Sequence, residues 1–138
     1  LRLGSVYGPK QRKGIMFSFA ESMRKSREIY IPKQAVYRDF IFIDDVVNAI
    51  EKAMGFPAKN AECFNVSSSR KTSLRLVAEI AAKRAPFPVA IKTTNEVPKL
   101  RATWGSCRKA KKLLGFSSKT RLVNGLQKTF ASYTLLGR

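Results

Sequence analysis

Apolar positions along this chain recur at two different spacings, and the two spacings alternate. Residues 14–26 carry Ile15, Phe19 and Met23 at intervals of four, which predicts one buried face of a helix. Short apolar runs rich in β-branched and aromatic residues predict strands at 1–6, 28–31, 40–43, 62–66 and 89–92. Because helical and extended patterns alternate, we predict an α/β or an α+β fold.

The strongest pattern lies at residues 37–47, where a strand runs directly into a helix. The apolar run 40–43 is typical of a strand that is covered on both faces. Asp44 and Asp45 follow it, and they are predicted to cap the helix and to place negative charge at its positive end. The apolar positions predicted for this helix are Val46, Val47, Ile50, Ala53 and Met54.

Three further helices are predicted in the second half of the chain. Thr72 or Ser73 can cap the first of them, and Ser106 can cap a short second one that stops at Gly115. Residues 93–103 are predicted to be a loop. The last helix carries a single apolar stripe, composed of Leu122, Leu126, Phe130 and Tyr133.

Composition restricts the class of protein. A hydrophobic content of 44% over 138 residues indicates one compact domain, residues 1–138. No apolar run is long enough to span a membrane, and no signal-peptide pattern is present. The chain has no histidine, and Cys63 and Cys107 lack metal-ligand spacing, so we expect no metal site, reduced thiols and a cytoplasmic location.

The charge is unusual, with 27 Lys and Arg residues against 9 Asp and Glu residues, a formal net charge of +18. Such a surface attracts polyanions, so nucleic acid is a possible partner. The basic residues are nevertheless scattered over every segment. Ordinary solvated surface explains them equally well.

Residues 37–47 resemble the R-D-[FY]-[IV]-[YHF]-[IV]-x-D-[VL] segment of extended short-chain dehydrogenase/reductases, the nucleotide-sugar epimerases and dehydratases. Other segments resemble the same family in the same order, at 1–9, 63–68, 109–116 and 122–133. The resemblance is to the carboxy-terminal, substrate-binding portion of the family, without most of the Rossmann domain. Residues 1–9 would then be the last piece of the cofactor-domain sheet and the crossover.

The resemblance implies that the chain binds a nucleotide-diphosphate sugar as part of an NAD(P)-dependent epimerase or dehydratase, which is expected to be a homodimer when complete. The sequence has no G-x-x-G-x-x-G turn for the cofactor pyrophosphate and no Y-x-x-x-K pair for proton transfer. We therefore expect this chain alone to bind no cofactor and to be inactive, and whether the chain is an enzyme stays open. It starts at Leu1 without methionine, so we expect a processed chain or a piece of a larger one.

Arg38 matches the family arginine that holds the nucleotide diphosphate. Its planar guanidinium can make two charge-assisted bonds to phosphate oxygens. The alternative is a local ion pair with Asp39 or Asp44. Ser5 stands where the family has an asparagine that contacts the nucleotide sugar, and its alternative is an ordinary turn serine.

Four more positions carry expectations from the resemblance. Leu3 and Gly4 match positions whose backbone lies near the nicotinamide ring, although a plain strand end explains them as well. Lys99 or Arg101 can replace a phosphate-binding arginine that the family's R-P-G-D loop supplies and this chain lacks. Trp104 is expected to be a packing residue rather than a platform for a base.

A second hypothesis is not enzymatic. The charge and the altered substrate loops also fit a basic binding or scaffold module that acts on RNA or within a larger assembly. No aromatic-plus-basic RNA motif supports it. Under either hypothesis an unpaired strand at residues 1–6 would make the isolated chain self-associate or be only marginally stable.

Overall fold

The computed structural model describes residues 1–57, 60–98 and 102–133. The described helices are α1 (Ile15–Ser26), α2 (Ile43–Met54), α3 (Leu74–Arg84), α4 (Arg108–Leu114) and α5 (Leu122–Ala131). The described strands are β1 (Arg2–Leu3), β2 (Ser5–Tyr7), β3 (Glu28–Pro32), β4 (Tyr37–Arg38), β5 (Phe40–Phe42), β6 (Asn65–Val66), β7 (Thr72–Ser73), β8 (Ala90–Thr94) and β9 (Ala102–Thr103). The predicted α/β class is confirmed.

The strands form small sheets in which parallel pairing predominates. β2 lies parallel to β5 in the register Ser5↔Phe40, Val6↔Ile41 and Tyr7↔Phe42. β1 pairs with β6, and β3 pairs with β8, both in parallel. β4 is the middle strand of three, antiparallel to β7 and parallel to β9.

The β2–β5 pair lies between two hydrophobic cores. Side chains alternate along a strand, so Phe40 and Phe42 face one core and Ile41 faces the other. The first core contains residues from α1, α3 and α5, and the second contains residues from α2, α4 and β6. Phe40, Ile41 and Phe42 are at most 5% exposed, which confirms a strand covered on both faces.

Local signals in the sequence set several of the boundaries correctly. Ser73 caps α3, since its Oγ accepts a hydrogen bond from the Leu76 amide at 3.1 Å. Gly115 ends α4 in the left-handed conformation, with φ of 61°. The stripe predicted for α5 is also correct, because Leu126 and Phe130 are buried while Leu122 and Tyr133 pack against the same core.

The start of α2 differs from the prediction. Phe42 is the N-cap residue and no side chain caps the helix. Asp45 is 7% exposed and accepts hydrogen bonds from the Ser118 hydroxyl (2.8 Å) and from the backbone amides of Lys119 (3.2 Å) and Thr120 (3.0 Å). Its carboxylate therefore fixes a distant loop, which satisfies more donors than an N-cap bond would.

The buried face of α2 also differs from the prediction. Val46 and Ala49 are buried, whereas Val47, Ile50 and Met54 are 47%, 44% and 82% exposed. Apolar side chains occupy two stripes of this helix, and only one of them meets the second core.

The remaining differences concern short segments. Cys107, not Ser106, is the N-cap residue of α4, and the Ser106 hydroxyl accepts from the Arg108 amide at 3.3 Å. The strand predicted at 62–66 is limited to Asn65–Val66, and the loop predicted at 93–103 contains the end of β8 and all of β9. None of the helices in the described part of the chain has the length and apolar character needed to cross a bilayer.

Candidate functional site

Asp39 holds together the segments around the predicted site. It is 2% exposed, and its Oδ1 accepts hydrogen bonds from the Ser68 amide (2.9 Å) and hydroxyl (2.7 Å). Its Oδ2 accepts from the Gly105 amide at 3.3 Å, and its carbonyl oxygen accepts from the Ser5 amide at 2.7 Å. One residue thus joins β5 to three loops or strand starts that are distant in sequence.

Gly4 lies against this same cluster. A Cβ atom at Gly4 would lie 2.7 Å from the Asp39 carbonyl oxygen and 2.9 Å from the Ser67 Cβ, so a side chain there would push the segments apart. The close backbone approach gives Gly4 a packing role whether or not a cofactor lies nearby.

Arg38 is half-buried on β4, and it makes no ion pair with any acidic residue in the described ranges. Its Nη1 donates to the carbonyl oxygen of Tyr37 at 2.8 Å. Asp39 is occupied by the donors above, and Asp44 lies 3.9 Å from Lys128. The alternative of a local ion pair for Arg38 is therefore wrong.

Two cavities meet at Ser5. The first, of about 390 Å³, is lined by Leu3, Gly4, Ser5, Asp39 and Trp104 among others. The second, of about 260 Å³, is lined by Ser5, Arg38 and Gln11, with apolar side chains from α1 and α3. The structure thus brings four of the six predicted site residues, Leu3, Gly4, Ser5 and Arg38, to two adjoining cavities.

The other two predicted site residues, Lys99 and Arg101, lie outside the described residues. The strand that follows them is described, and it lies beside Arg38. In this parallel pair, Ala102 is the partner of Tyr37 and Thr103 is the partner of Arg38.

Two glutamines that sequence reasoning missed have buried oxygen atoms without hydrogen-bond partners among the described residues. They are Oε1 of Gln11, a residue that lines the cavity of Arg38, and Oε1 of Gln34, a residue that lines a neighbouring cavity of about 210 Å³ together with Tyr37. An unpaired buried acceptor is costly, so such atoms mark places where a ligand donor would be stabilising. Both glutamines lie in loops without a periodic pattern, which is why nothing in the sequence singled them out.

The expectation that Trp104 is a packing residue is wrong. The residue is 56% exposed at the rim of the larger cavity, directly after β9. The Lys71 ammonium lies 4.9 Å from the centre of its ring and 4.3 Å from that of Tyr37. The indole therefore forms a cation–π contact with Lys71 at the rim of the cavity.

Comparisons with known proteins show which sequences and structures the chain is similar to. The sequence pattern of the NAD dependent epimerase/dehydratase family matches residues 1–67. A UDP-glucose 4-epimerase of Mycolicibacterium smegmatis is 31% identical over 132 residues, which are 91% of this chain and 42% of that protein. An uncharacterized UDP-glucose epimerase of Bacillus subtilis is 28% identical over 137 residues, which are 95% of this chain and 42% of that protein.

Solved structures show the same fold. A UDP-glucuronic acid 4-epimerase from Bacillus cereus, in complex with a fluorinated UDP-glucuronic acid and NAD, superposes with a TM-score of 0.85 at 22% identity, over 96% of this chain and 43% of that one. A UDP-glucose 4-epimerase from Thermotoga maritima with UDP-glucose gives 0.77 at 28% identity, over 96% and 44%.

The fold is that of part of an extended short-chain dehydrogenase/reductase. Within that class, the chain belongs to the NAD-dependent epimerase/dehydratase family of nucleotide-sugar enzymes. It spans less than half the length of the relatives that it matches.

Proposed function

We propose that this chain is the part of an NAD-dependent nucleotide-sugar epimerase or dehydratase that binds the nucleotide-diphosphate sugar. The observation that carries the proposal is the position of Ser5, which lines both the cavity of Arg38 and the cavity of Leu3 and Gly4. A ligand held by Arg38 can extend past Ser5 toward Leu3 and Gly4. This is the order of diphosphate, sugar and nicotinamide that an epimerase needs.

Arg38 binds the diphosphate in this proposal. Its charge has no carboxylate partner among the described residues, and the side chain is half-buried, so a bond to phosphate is partly shielded from water. Lys99 and Arg101 are kept as proposed further phosphate ligands, because the strand after them runs beside Arg38.

Ser5 and Gln11 orient the sugar. A serine hydroxyl offers one donor where an asparagine amide offers two, so the contact from Ser5 is weaker than in relatives with asparagine. Gln11 lines the same cavity, and its side-chain amide is a candidate partner for a sugar hydroxyl.

The cavity beside Leu3 and Gly4 has room for the flat nicotinamide ring. Its volume is about 390 Å³, and Gly4 has no side chain that would occupy it. NAD(P), when bound, accepts a hydride from the sugar carbon and later returns it to the sugar. This sequence contains no Y-x-x-x-K pair, so in the proposal the proton transfer falls to residues beyond this chain, and the chain alone binds the substrate without turning it over.

Titration calorimetry of the 138-residue chain with UDP-glucose, UDP and UMP tests the proposal. Arg38→Gln is expected to weaken binding of UDP-glucose and UDP by about tenfold or more, because a charge-assisted bond to phosphate is lost. UMP has no diphosphate and should lose less. Arg84→Gln, in the last turn of α3, is the matched control, because it removes the same charge away from both cavities.

Equal affinity of the parent chain and Arg38→Gln for UDP would remove Arg38 from the site. Equal loss in Arg38→Gln and Arg84→Gln would show that general charge, rather than the cavity, attracts the nucleotide.

A second candidate is a basic module that binds RNA without catalysis. It is favoured by α4, where Arg108, Lys109, Lys111 and Lys112 are all exposed, and by the net charge of +18. This candidate predicts RNA binding that weakens steeply as salt increases. Binding that is absent or insensitive to salt would eliminate it.

A further inference from the structure

A fourth cavity lies next to the site described above, and none of the predicted site residues lines it. It holds about 60 Å³ and lies between the turn at 68–72 and the loop at 118–122. Tyr7 and Phe40 form its floor and also line the cavity of Arg38. The remaining lining consists of Ser68, Arg70, Thr72, Ser118, Lys119, Thr120, Arg121 and Leu122.

The charged residues that line this cavity are all positive. Arg70, Lys119 and Arg121 line it, and none of them forms an ion pair with a described acidic residue. The nearby carboxylates are Asp39 and Asp45. Neither of them lines the cavity, and each already accepts three hydrogen bonds at its carboxylate oxygens.

The amino terminus of α5 lies at the edge of the same cavity, where Arg121 and Leu122 line it. This helix has ten residues, its N-cap residue is Arg121, no side chain caps it, and its first turn contains no acidic residue. The amides of residues 122–124 precede the first hydrogen bond of the helix, which runs from the Gly125 amide to the Arg121 carbonyl oxygen. Free amides and the helix dipole together favour an anion.

Thr72 is an independent indication of a ligand. Its side chain is 9% exposed, lines the cavity and makes no hydrogen bond within the described part of the chain. The hydroxyls of Ser68 and Ser118 donate to Asp39 and Asp45, so Thr72 differs from them in keeping a free donor. The Thr72 oxygen atom itself stays accessible to solvent, so a water or a ligand in the cavity can accept its proton.

We propose that this cavity binds a tetrahedral oxyanion, either inorganic phosphate or the terminal phosphate of a small phosphomonoester. Three cations, the Leu122 amide at the start of α5 and the Thr72 hydroxyl supply the donors. The volume of about 60 Å³ suits one such group. The site is separate from the proposed sugar-nucleotide site, since Arg38, Ser5 and Gln11 do not line it.

NMR titration of the full chain at constant ionic strength tests the proposal. With inorganic phosphate, the amide resonances of residues 122–124 are expected to shift and to saturate, while chloride leaves them unchanged. Glycerol 3-phosphate is the second probe. Tighter binding of glycerol 3-phosphate than of phosphate would identify the monoester as the ligand, and the reverse order would identify the free ion.

Variants then separate this cavity from general charge. Arg121→Gln and Thr72→Val are each expected to weaken phosphate binding about tenfold, because each removes a donor to a charged ligand. Arg84→Gln, which removes a charge elsewhere, and Arg38→Gln, in the neighbouring cavity, should change it less than twofold. Arg121 is exposed, so its substitution tests the site even where Thr72→Val alters folding.

Shifts that spread over the basic surface without saturation would overturn the proposal. So would equal weakening of binding in Arg121→Gln and Arg84→Gln. The failure of UDP-glucose to bind would leave this result untouched, because the two sites share no charged residue.

Discussion

At the scale of single residues, two buried carboxylates determine where the loops lie. Asp39 receives donors from residues 68 and 105, and Asp45 receives donors from residues 118–120. Burial removes each negative charge from water, and three hydrogen bonds compensate for the lost hydration. Both loops border the proposed phosphate cavity, whose shape therefore depends on Asp39 and Asp45.

Gly125 is required where α5 crosses Tyr7. A Cβ atom there would lie 2.9 Å from the Tyr7 Cζ and 3.0 Å from the Phe42 Cδ2, and still closer to the Tyr7 hydroxyl oxygen. Gly125→Ala in a helix ordinarily stabilises a protein by about 1 kcal/mol. Here we expect it to lower the free energy of unfolding by about 1–3 kcal/mol, because of overpacking. Urea denaturation of the variant measures the change.

The double variant Tyr7→Phe/Gly125→Ala is the control for that experiment. Removing the Tyr7 hydroxyl relieves the nearest contact. Adding Tyr7→Phe to Gly125→Ala should therefore recover part of the lost stability. A stability for Gly125→Ala equal to or above that of the parent chain would show that α5 does not pass this close to Tyr7.

Tyr7 also sets an alkaline limit on stability. Burial raises the pKa of Tyr7 far above its ordinary value, and the charge of Asp45 raises it further. Burial likewise raises the pKa of Tyr133. The folded state therefore retains these protons after the unfolded chain has lost them, so the contribution is complete below about pH 10 and decreases as the pH rises above that value.

Thermal melting at pH 8, 9.5 and 11 checks this expectation. The parent chain should lose more stability between pH 9.5 and 11 than Tyr7→Phe, because the variant has no phenol at position 7 to ionise. The lysines contribute equally to both proteins. Equal losses of stability in the parent chain and in Tyr7→Phe would exclude Tyr7 as the cause.

The residue scale also shows what the sequence could not reveal. The motif around Arg38 identified the arginine and the short strand beside it. It did not indicate the bonds made by Asp39 and Asp45, because their donors lie 29 to 75 positions away along the chain. Neither local spacing nor propensity carries information about such partners.

At the scale of elements, α2 shows how a helix can be predicted correctly and oriented wrongly. Its apolar residues outnumber those that the second core can accommodate, so periodicity alone could not select the buried stripe. The structure selects Val46 and Ala49 and leaves Val47 and Ile50 about half exposed. Helices with one stripe, such as α5, were predicted correctly on both counts.

Paired substitutions on α2 test the orientation. Ile50→Glu is expected to change the free energy of unfolding by less than about 1 kcal/mol, because the side chain is 44% exposed. Ala49→Glu should lower it by more than about 3 kcal/mol, since position 49 is 0% exposed and would bury an unpaired charge. Denaturant titration followed by circular dichroism measures both, and similar losses would show that the opposite face packs inward.

At the scale of the whole molecule, the described surface carries an open strand edge with apolar side chains. β1 pairs with β6 alone among the described strands, and Leu1 and Leu3 are 44% and 48% exposed. An open edge of this kind favours pairing with another chain. The sequence predicted an unpaired strand at residues 1–6, and this is wrong, because β1 pairs with β6 and β2 pairs with β5. The second edge of β1 is nevertheless open among the described strands, so we still predict that the isolated chain self-associates.

Sedimentation velocity over a range of concentrations checks that prediction. Leu3→Lys should shift the distribution toward the monomer, because it places a charge on the open edge. Leu113→Lys is the matched control, since Leu113 is 45% exposed but lies on α4. A monomeric parent chain at every concentration would contradict the prediction.

The β2–β5 pair, a wall with one core on each side, makes the two cores mutually dependent. A substitution at Phe19 in the first core and one at Phe116 in the second both act on the strand that carries Phe40, Ile41 and Phe42. Their energetic costs are therefore expected not to add as they would for independent sites. Residues of the two cores also alternate along the chain, so we predict that no single cut would give two smaller folded units.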